Sequence, residues 1–223
     1  MFCKEHIEHF WDWFRIVHDD YRQPQYHSSE KIDYLGDELN VHLWNILPAF
    51  CFEIQWNAGD NGDATLIISC DGEAEYFKIA HALVAAAPVI PGWRIRALRP
   101  PTDIDRGFAA TFPRMRFRPA SLFVMPSPDD ENPQRLECLF IYMPGYKKEL
   151  EDEYLEAAEL VLQNLLGEET AATTLGVLVP MPPDHGLERE DGIISIMELP
   201  AWLDRMPSGY AVDARGKIGK STV

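Results

Sequence analysis

Arginine side chains are concentrated in one stretch of this 223-residue chain, and their chemistry is that of anion recognition. Seven arginines lie between residues 94 and 118, where only two carboxylates, Asp103 and Asp105, oppose them. A guanidinium group can bind a carboxylate or a phosphate through two parallel hydrogen bonds. The stretch therefore predicts either a site for a small anion or a contact patch for an acidic partner.

The spacing of these arginines indicates which side of the backbone they occupy. Residues 114–118 read Arg-Met-Arg-Phe-Arg, so in an extended segment the arginines share one face and Met115 and Phe117 take the other. Arg94 and Arg96 alternate in the same way with their apolar neighbours. If the two segments are adjacent strands, one surface carries the predicted anion- or partner-binding arginines, which are Arg94, Arg96, Arg114, Arg116 and Arg118.

An alternative interpretation pairs these arginines with carboxylates of the same chain. A helix predicted over 148–166 places acidic side chains on one face, namely Glu149, Asp152, Glu153, Glu156 and Glu159. Charged faces of this kind are usually solvated or paired. Carboxylates one helical turn apart could also share a metal ion, but these lie opposite the apolar stripe and have no histidine in register. We therefore expect a solvated face and no metal site.

Other motifs lack the partners that their chemistry requires. His6 and His9 are three residues apart but lack a third metal ligand, and Asp184-His185 has no associated nucleophile. Residues 214–221 match a relaxed phosphate-loop pattern, but only two residues follow, so we expect no helix to face the phosphates. The sequence therefore predicts no catalytic residues, no metal and no cofactor.

Composition and charge restrict the classes of partner. There are 36 acidic and 20 basic residues, so the net charge is −16, which disfavours general binding to nucleic acids or anionic membranes. No apolar run approaches the ~18 residues of a transmembrane helix. The four cysteines form no CxxC pair, and the N-terminus lacks the apolar stretch of a signal peptide. We therefore expect a cytoplasmic protein; its oligomeric state stays open.

The elements that must position these residues follow from hydrophobic periodicity. Two helices are predicted over 6–18 and 30–47. They are followed by strands over 50–57 and 64–70, a helix over 73–87 and a strand over 93–99. The second strand is apolar enough for burial on both faces, Asn61-Gly62 indicates a hairpin, and Asp71 is expected to cap the helix. The later elements are strands over 121–126 and 135–143, a helix over 148–166 and a strand over 174–181.

This order predicts an α+β fold in which a two-layer antiparallel sheet packs with helices. The elements form two β-β-α-β pseudo-repeats, about 50–99 and 121–181, preceded by the two N-terminal helices. We expect residues 1–206 to form a single compact domain and 207–223 to be a basic, glycine-rich tail.

Several segments resemble a family of conserved bacterial proteins of unknown function. They are FWDWF near the start, FEIQW, LIISCDG, LVAAAP, GWRIRALRPP and LLGEE. The resemblance covers about residues 10–101 and 165–169, and it implies an intracellular protein but no catalytic residues. The acidity and the α+β order are also similar to those of small bacterial inhibitor and immunity proteins, which neutralise basic enzymes.

Two function hypotheses follow. The leading one is a cytoplasmic, non-enzymatic protein-interaction module, because tryptophan and arginine are the residue types that anchor interfaces. In it, Trp13, at the edge of the apolar stripe of the first helix, joins the five arginines as a partner-binding residue. The alternative is an enzyme or sensor that binds a small anionic ligand in an arginine-lined cleft between the two halves, with His81 or His185 carrying protons.

Overall fold

The computed structural model describes residues 4–22, 26–56, 63–183 and 192–206, and the backbone alone of two short strands, Tyr210–Val212 and Ile218–Lys220. The chain divides into two compact units, residues 1–99 (unit 1) and 100–223 (unit 2). One predicted half falls in each unit, and the expectation of one domain over 1–206 stays a prediction. None of the helices in the described ranges combines the length and apolar composition of a bilayer-spanning segment.

Unit 1 begins with the two predicted helices, α1 (Lys4–Arg22) and α2 (Ser29–Trp44). The apolar stripe of α1 is buried as predicted. Its buried residues are Ile7, Phe10, Trp11, Phe14 and Tyr21. The helix α2 begins after Ser28, whose hydroxyl accepts a hydrogen bond from the backbone N–H of Lys31, and a polar N-cap of this kind satisfies one of the free amides of the first turn.

The sheet of unit 1 is formed by β1 (Cys51–Trp56), β2 (Ala64–Ser69) and β3 (Trp93–Ala97), in that order. β1 and β2 are antiparallel, and α3 (Phe77–Ala85) connects β2 to the parallel strand β3. All six residues of β2 are buried, so the predicted burial on both faces is confirmed.

The predicted cap of α3 is wrong. A short 3-10 turn, Ala74–Tyr76, precedes α3, and neither element has a side-chain cap. Asp71 has a positive φ of 53°, and its carboxylate accepts a hydrogen bond from Arg99 Nη1 at 2.9 Å. Asp71 therefore forms an ion pair with Arg99 instead of capping the helix. α3 starts too far along the chain for the carboxylate of Asp71 to reach its first backbone amides.

Unit 2 contains the second sheet and shorter helices. Its elements are α4 (Phe108–Thr111), β4 (Phe123–Pro128), β5 (Leu136–Tyr142), α5 (Glu151–Leu166), α6 (Glu168–Thr174), β6 (Val177–Met181), β7 (Ile194–Ser195), α7 (Leu199–Leu203), β8 (Tyr210–Val212) and β9 (Ile218–Lys220). The order in the main sheet is β6-β5-β4-β7, and β8 pairs with β9. Tyr154, Ala158, Val161 and Leu162 of α5 join the core of this unit.

The two units repeat one connectivity. In each, the first two strands are antiparallel and a helical connection leads to a third strand parallel to the second. This connection is α3 in unit 1 and α5 followed by α6 in unit 2. The α+β class, the two N-terminal helices and the two β-β-α-β repeats are therefore confirmed. The expected antiparallel pairing holds for β1–β2, β4–β5 and β4–β7. It does not hold for β2–β3 and β5–β6, which are parallel because a helical crossover returns the chain to the same end of the sheet.

Two segments of unit 2 differ from prediction. The strand expected from residue 174 begins at Val177, because α6 occupies residues up to Thr174. Residues 114–118 form no strand. Pro113 and Pro119 border this segment, and proline cannot donate a hydrogen bond to a ladder.

Candidate functional site

The arginine segment, residues 114–118, has the sidedness that its sequence predicts. Arg114, Arg116 and Arg118 are exposed, whereas Met115 and Phe117 are half-buried against the core of unit 2. The alternation is confirmed even though the segment is not a strand. Three guanidinium groups therefore point away from the core within five residues.

Aromatic packing fixes the inner side of this segment to the core of unit 2. The ring of Phe117 lies 5.4 Å from that of the buried Phe108, which lies 5.3 Å from Phe112. Aromatic pairs at these distances add specific ring contacts to ordinary area burial. The backbone of the arginine segment is thus fixed to the core through its apolar side chains.

Asp105 fixes the end of the segment. One carboxylate oxygen accepts the backbone N–H of Ala120 at 3.1 Å, and the other accepts Arg118 Nε and Nη2 at 3.1 and 2.6 Å. The hydrogen bond from Arg118 lowers the pKa of Asp105, although partial burial opposes the change. Asp105 is therefore ionised at neutral pH and orients one guanidinium.

Arg114 is oriented by the acidic helix. Its Nη1 donates to Glu153 Oε1 of α5 at 3.2 Å, so pairing between the arginine stretch and the helix is confirmed for this one residue. Within the described ranges, Arg116 has no hydrogen bond or ion pair from its side chain. The segment thus presents two guanidinium groups held by carboxylates and one whose donors are open to solvent.

The rest of the acidic face of α5 is solvated, as expected. Its exposed carboxylates are those of Asp152, Glu156 and Glu159. Glu149, in the 3-10 turn that precedes α5, is exposed as well. Glu151 instead accepts hydrogen bonds from Lys148 and Tyr146, and the bond from Lys148 lowers its pKa. No cluster of three or more histidine, cysteine, aspartate or glutamate side chains in the described part of the chain could hold a metal ion.

The other two predicted arginines lie on β3 in unit 1. Arg94 and Arg96 are exposed, and their register with Thr65 and Ile67 places them on the same face of that sheet. Arg99, further along, pairs with Asp71 and lies 3.7 Å from Cys51 Sγ. The structure therefore brings the arginines together as a pair in unit 1 and a triplet in unit 2.

Trp13 is part of the contact between the first two helices. Its ring is half-buried and stacks on His42 of α2, with centroids 3.8 Å apart and planes 16° from parallel. Burial lowers the pKa of His42, His9 lowers it further, and Glu38 opposes both. The folded chain therefore favours the neutral imidazole at this position.

A cavity of about 480 Å³ opens in unit 2 near the end of α7. Its lining residues are Pro128, Asp129, Asp130, Pro133, Trp202, Arg205 and Met206. Asp129 already accepts two backbone N–H groups of its own turn, from Glu131 and Asn132. None of the five predicted arginines lines this cavity, and neither does His81, which is exposed on α3.

Several predicted features lie outside the described residues. They are Cys3, the Asn61-Gly62 hairpin, Asp184-His185 and the side chains of 207–223, including the phosphate-loop pattern.

One surface feature of unit 1 is absent from the predicted site residues. The face of α2 opposite its buried leucines carries an outer stripe, defined as Glu30, Tyr34, Asp37, Val41 and Trp44. Its apolar members are 56%, 54% and 50% exposed, in that order. The signal was present as spacings of four, three, four and three residues, which follow one helical face.

No family model, no curated protein and no solved structure matches this chain.

Proposed function

We propose that the chain is a non-enzymatic protein-interaction module of the cytoplasm, inhibitor- or immunity-like in class, that contacts a partner protein through the arginine segment. One observation carries the proposal, namely the exposure of three successive guanidinium groups on a segment anchored in the core by Met115 and Phe117. Carboxylates on the partner are the groups that such a surface would bind.

The geometry favours binding because two of the arginine side chains are already ordered before a partner binds. Asp105 and Glu153 hold the outer two guanidinium groups, which reduces the side-chain entropy lost on association. Arg116 retains its donors for a bidentate contact with a carboxylate. Arginine is one of the residue types that dominate binding energy at interfaces.

The overall charge restricts what the partner can be. A chain with a net charge of −16 repels a uniformly acidic protein over the distance of a Debye length. The partner must therefore place a local acidic patch against the arginine segment while carrying neutral or basic surface elsewhere.

The test compares two variants of equal charge. In the first, Arg114, Arg116 and Arg118 are replaced by glutamate. In the second, three exposed arginines elsewhere, Arg15, Arg135 and Arg205, are replaced in the same way. Tagged wild-type and variant proteins are used to capture partners from a host lysate, and each captured protein is purified and titrated against all three chains.

We expect the first variant to lose affinity at least ten-fold, which corresponds to about 1.4 kcal/mol, and the second to match the wild type. Equal weakening of both variants would show that only net charge matters and would contradict the proposal. Stabilisation of the wild type by phosphate or citrate, lost in the first variant, would instead favour the small-anion alternative.

A further inference from the structure

The outer stripe of α2 has the form of a helix-docking surface. Glu30, Tyr34, Asp37, Val41 and Trp44 follow one line over a rise of about 21 Å. This line lies opposite Leu35, Leu39 and Leu43, which are buried. The helix therefore presents an apolar and acidic stripe to solvent in addition to the stripe that it contributes to the core.

The aromatic members of the stripe are held in place before any partner binds. Trp44 Nε1 donates to the carbonyl oxygen of Phe50 at 2.9 Å, which fixes the indole ring while half of it stays exposed. The hydroxyl of Tyr34 donates to Glu38 Oε1 at 3.3 Å. Rigid, half-exposed aromatic rings are suited to anchor a partner at low entropic cost.

The charge around the stripe specifies the partner. Glu30, Asp33 and Asp37 are exposed, and none forms an ion pair within the described residues. The helical hairpin as a whole, residues 4–44, contains nine acidic and four lysine or arginine residues, a net charge of −5. Lysine and arginine beside an apolar face would complement these carboxylates.

The same pattern disfavours self-association of the stripe. Asp37 is the central residue, so a two-fold pairing of α2 with a second copy, whether parallel or antiparallel, sets Asp37 against Asp37. The parallel arrangement also sets Glu30 against Glu30. Like charges directly opposed across a helix pair are destabilising, so a partner of different sequence is favoured.

We propose that the outer stripe of α2 binds a basic amphipathic helix of a partner protein. Apolar side chains of that helix would pack on Tyr34, Val41 and Trp44. Its lysines or arginines would face the exposed carboxylates of Glu30, Asp33 and Asp37. This surface lies in unit 1 and does not depend on the arginine segment of unit 2, so each proposal can fail without the other.

The experiment uses the full chain and a synthetic probe. The probe is a fluorescent peptide of about three heptads, with leucine at the core positions and lysine at the flanking positions. Two control peptides are used. One has the same composition in shuffled order, and the other has glutamate in place of lysine. Anisotropy titrations at about 0.15 M ionic strength give the three affinities.

Matched variants locate the binding site. Val41→Asp is compared with Val89→Asp, since Val89 is 98% exposed in a loop of the same unit. Asp37→Lys is compared with Glu156→Lys on the solvated face of α5. We expect Val41→Asp and Asp37→Lys each to weaken binding of the basic peptide about ten-fold. Val89→Asp, Glu156→Lys and the triple arginine variant should stay within about two-fold of the wild type.

Four results would overturn the inference. They are no binding of the basic peptide at about 1 mM, equal binding of the shuffled peptide, equal effects of Val41→Asp and Val89→Asp, and a dimer of the wild type that Val41→Asp dissociates. Circular dichroism and the thermal midpoint show that each variant keeps the helix content and stability of the wild type, so that a loss of binding reports on the surface.

Discussion

The two β-β-α-β halves share their connectivity but differ in how their middle strands are covered. Every residue of β2 is buried, whereas β5 exposes Glu137 and leaves Cys138 and Phe140 half-buried. The crossover helices also differ, since α3 has nine residues and α5 has sixteen. The same strand order thus occurs with a middle strand that is buried on both faces, β2, and with one that is partly exposed, β5.

The two units also differ in the kind of residue that they expose. Of the ten large hydrophobic residues that are exposed in the described ranges, eight lie in unit 1, and only Val177 and Met197 lie in unit 2. Unit 2 presents the arginine segment and the acidic face of α5 instead. The repeated strand order forms the core of each unit. The N-terminal helices give unit 1 its apolar surface, and residues 100–120 give unit 2 its arginines.

The largest predicted effect comes from placing lysine at the second position of each middle strand. Thr65 of β2 is buried beside Arg94, so Thr65→Lys should lower the free energy of unfolding by about 4 kcal/mol, because it buries an unpaired charge. Glu137 of β5 is exposed, so Glu137→Lys should change it by less than about 0.5 kcal/mol. Urea unfolding of both variants measures the difference, and equal losses would contradict the distinction between the two strands.

A second change should damage unit 2 selectively. A Cβ on Gly176, just before β6, would overlap the backbone carbonyl oxygens of Leu136 and Glu137, which cannot move without breaking the β5–β6 pairing. Gly176→Ala should therefore cost about 3 kcal/mol. Hydrogen exchange should show lost protection in β5 and β6 with β1–β3 unchanged, and uniform loss across both sheets would refute this assignment.

A third change should stabilise unit 1. Gly36 lies inside α2, and a Cβ built there would meet no atom within 4 Å. Gly36→Ala should raise the free energy of unfolding by about 0.8 kcal/mol, because alanine restricts the unfolded chain and favours the helix. A rise in thermal midpoint would confirm this expectation, whereas a fall would mean that position 36 is more crowded than the structure shows.

The smallest predicted effects are pH-dependent and separate the units. Burial lowers the pKa of His42 in the folded state, so the unfolded chain takes up that proton first, and stability falls as the pH drops below about 6.5. The pKa of Asp105 is also lowered, so its contribution is lost only as the pH falls below about 3.9.

Acid should therefore affect the α1–α2 contact before it affects the arginine segment. Urea titrations over this pH range for the wild type, His42→Gln and Asp105→Asn would measure each contribution. The first variant should flatten the profile near pH 6 and the second near pH 3. An unchanged profile for both would contradict the order.

Sequence patterns predicted what depends on neighbouring residues and missed what depends on distant ones. The apolar run of β2 and the sidedness of residues 114–118 are local properties, and both are confirmed. Alternation alone did not distinguish a strand from an extended loop bordered by proline. The role of Asp71 depends on Arg99, which lies 28 residues away, and no local pattern indicates that pair.

The candidate surfaces show the same division. The arginines were visible as a cluster, but their partners Asp105 and Glu153 could be assigned only from the folded chain. The outer stripe of α2 could have been predicted, because its spacing is strictly helical. The stripe was not predicted because hydrophobic periodicity was used only to identify the buried face of the helix.

The order in which the strands pair also bears on how the chain folds while it is being synthesised. The three strands of the first sheet lie within residues 51–97, so this sheet can close as soon as that stretch has left the ribosome. In the second sheet, β4 must wait for β7 at Ile194–Ser195 before its outer edge is covered. A nascent chain arrested after β3 but before β7 would carry a complete first sheet and an uncovered edge on β4. This is the stage of synthesis at which a chaperone would be needed.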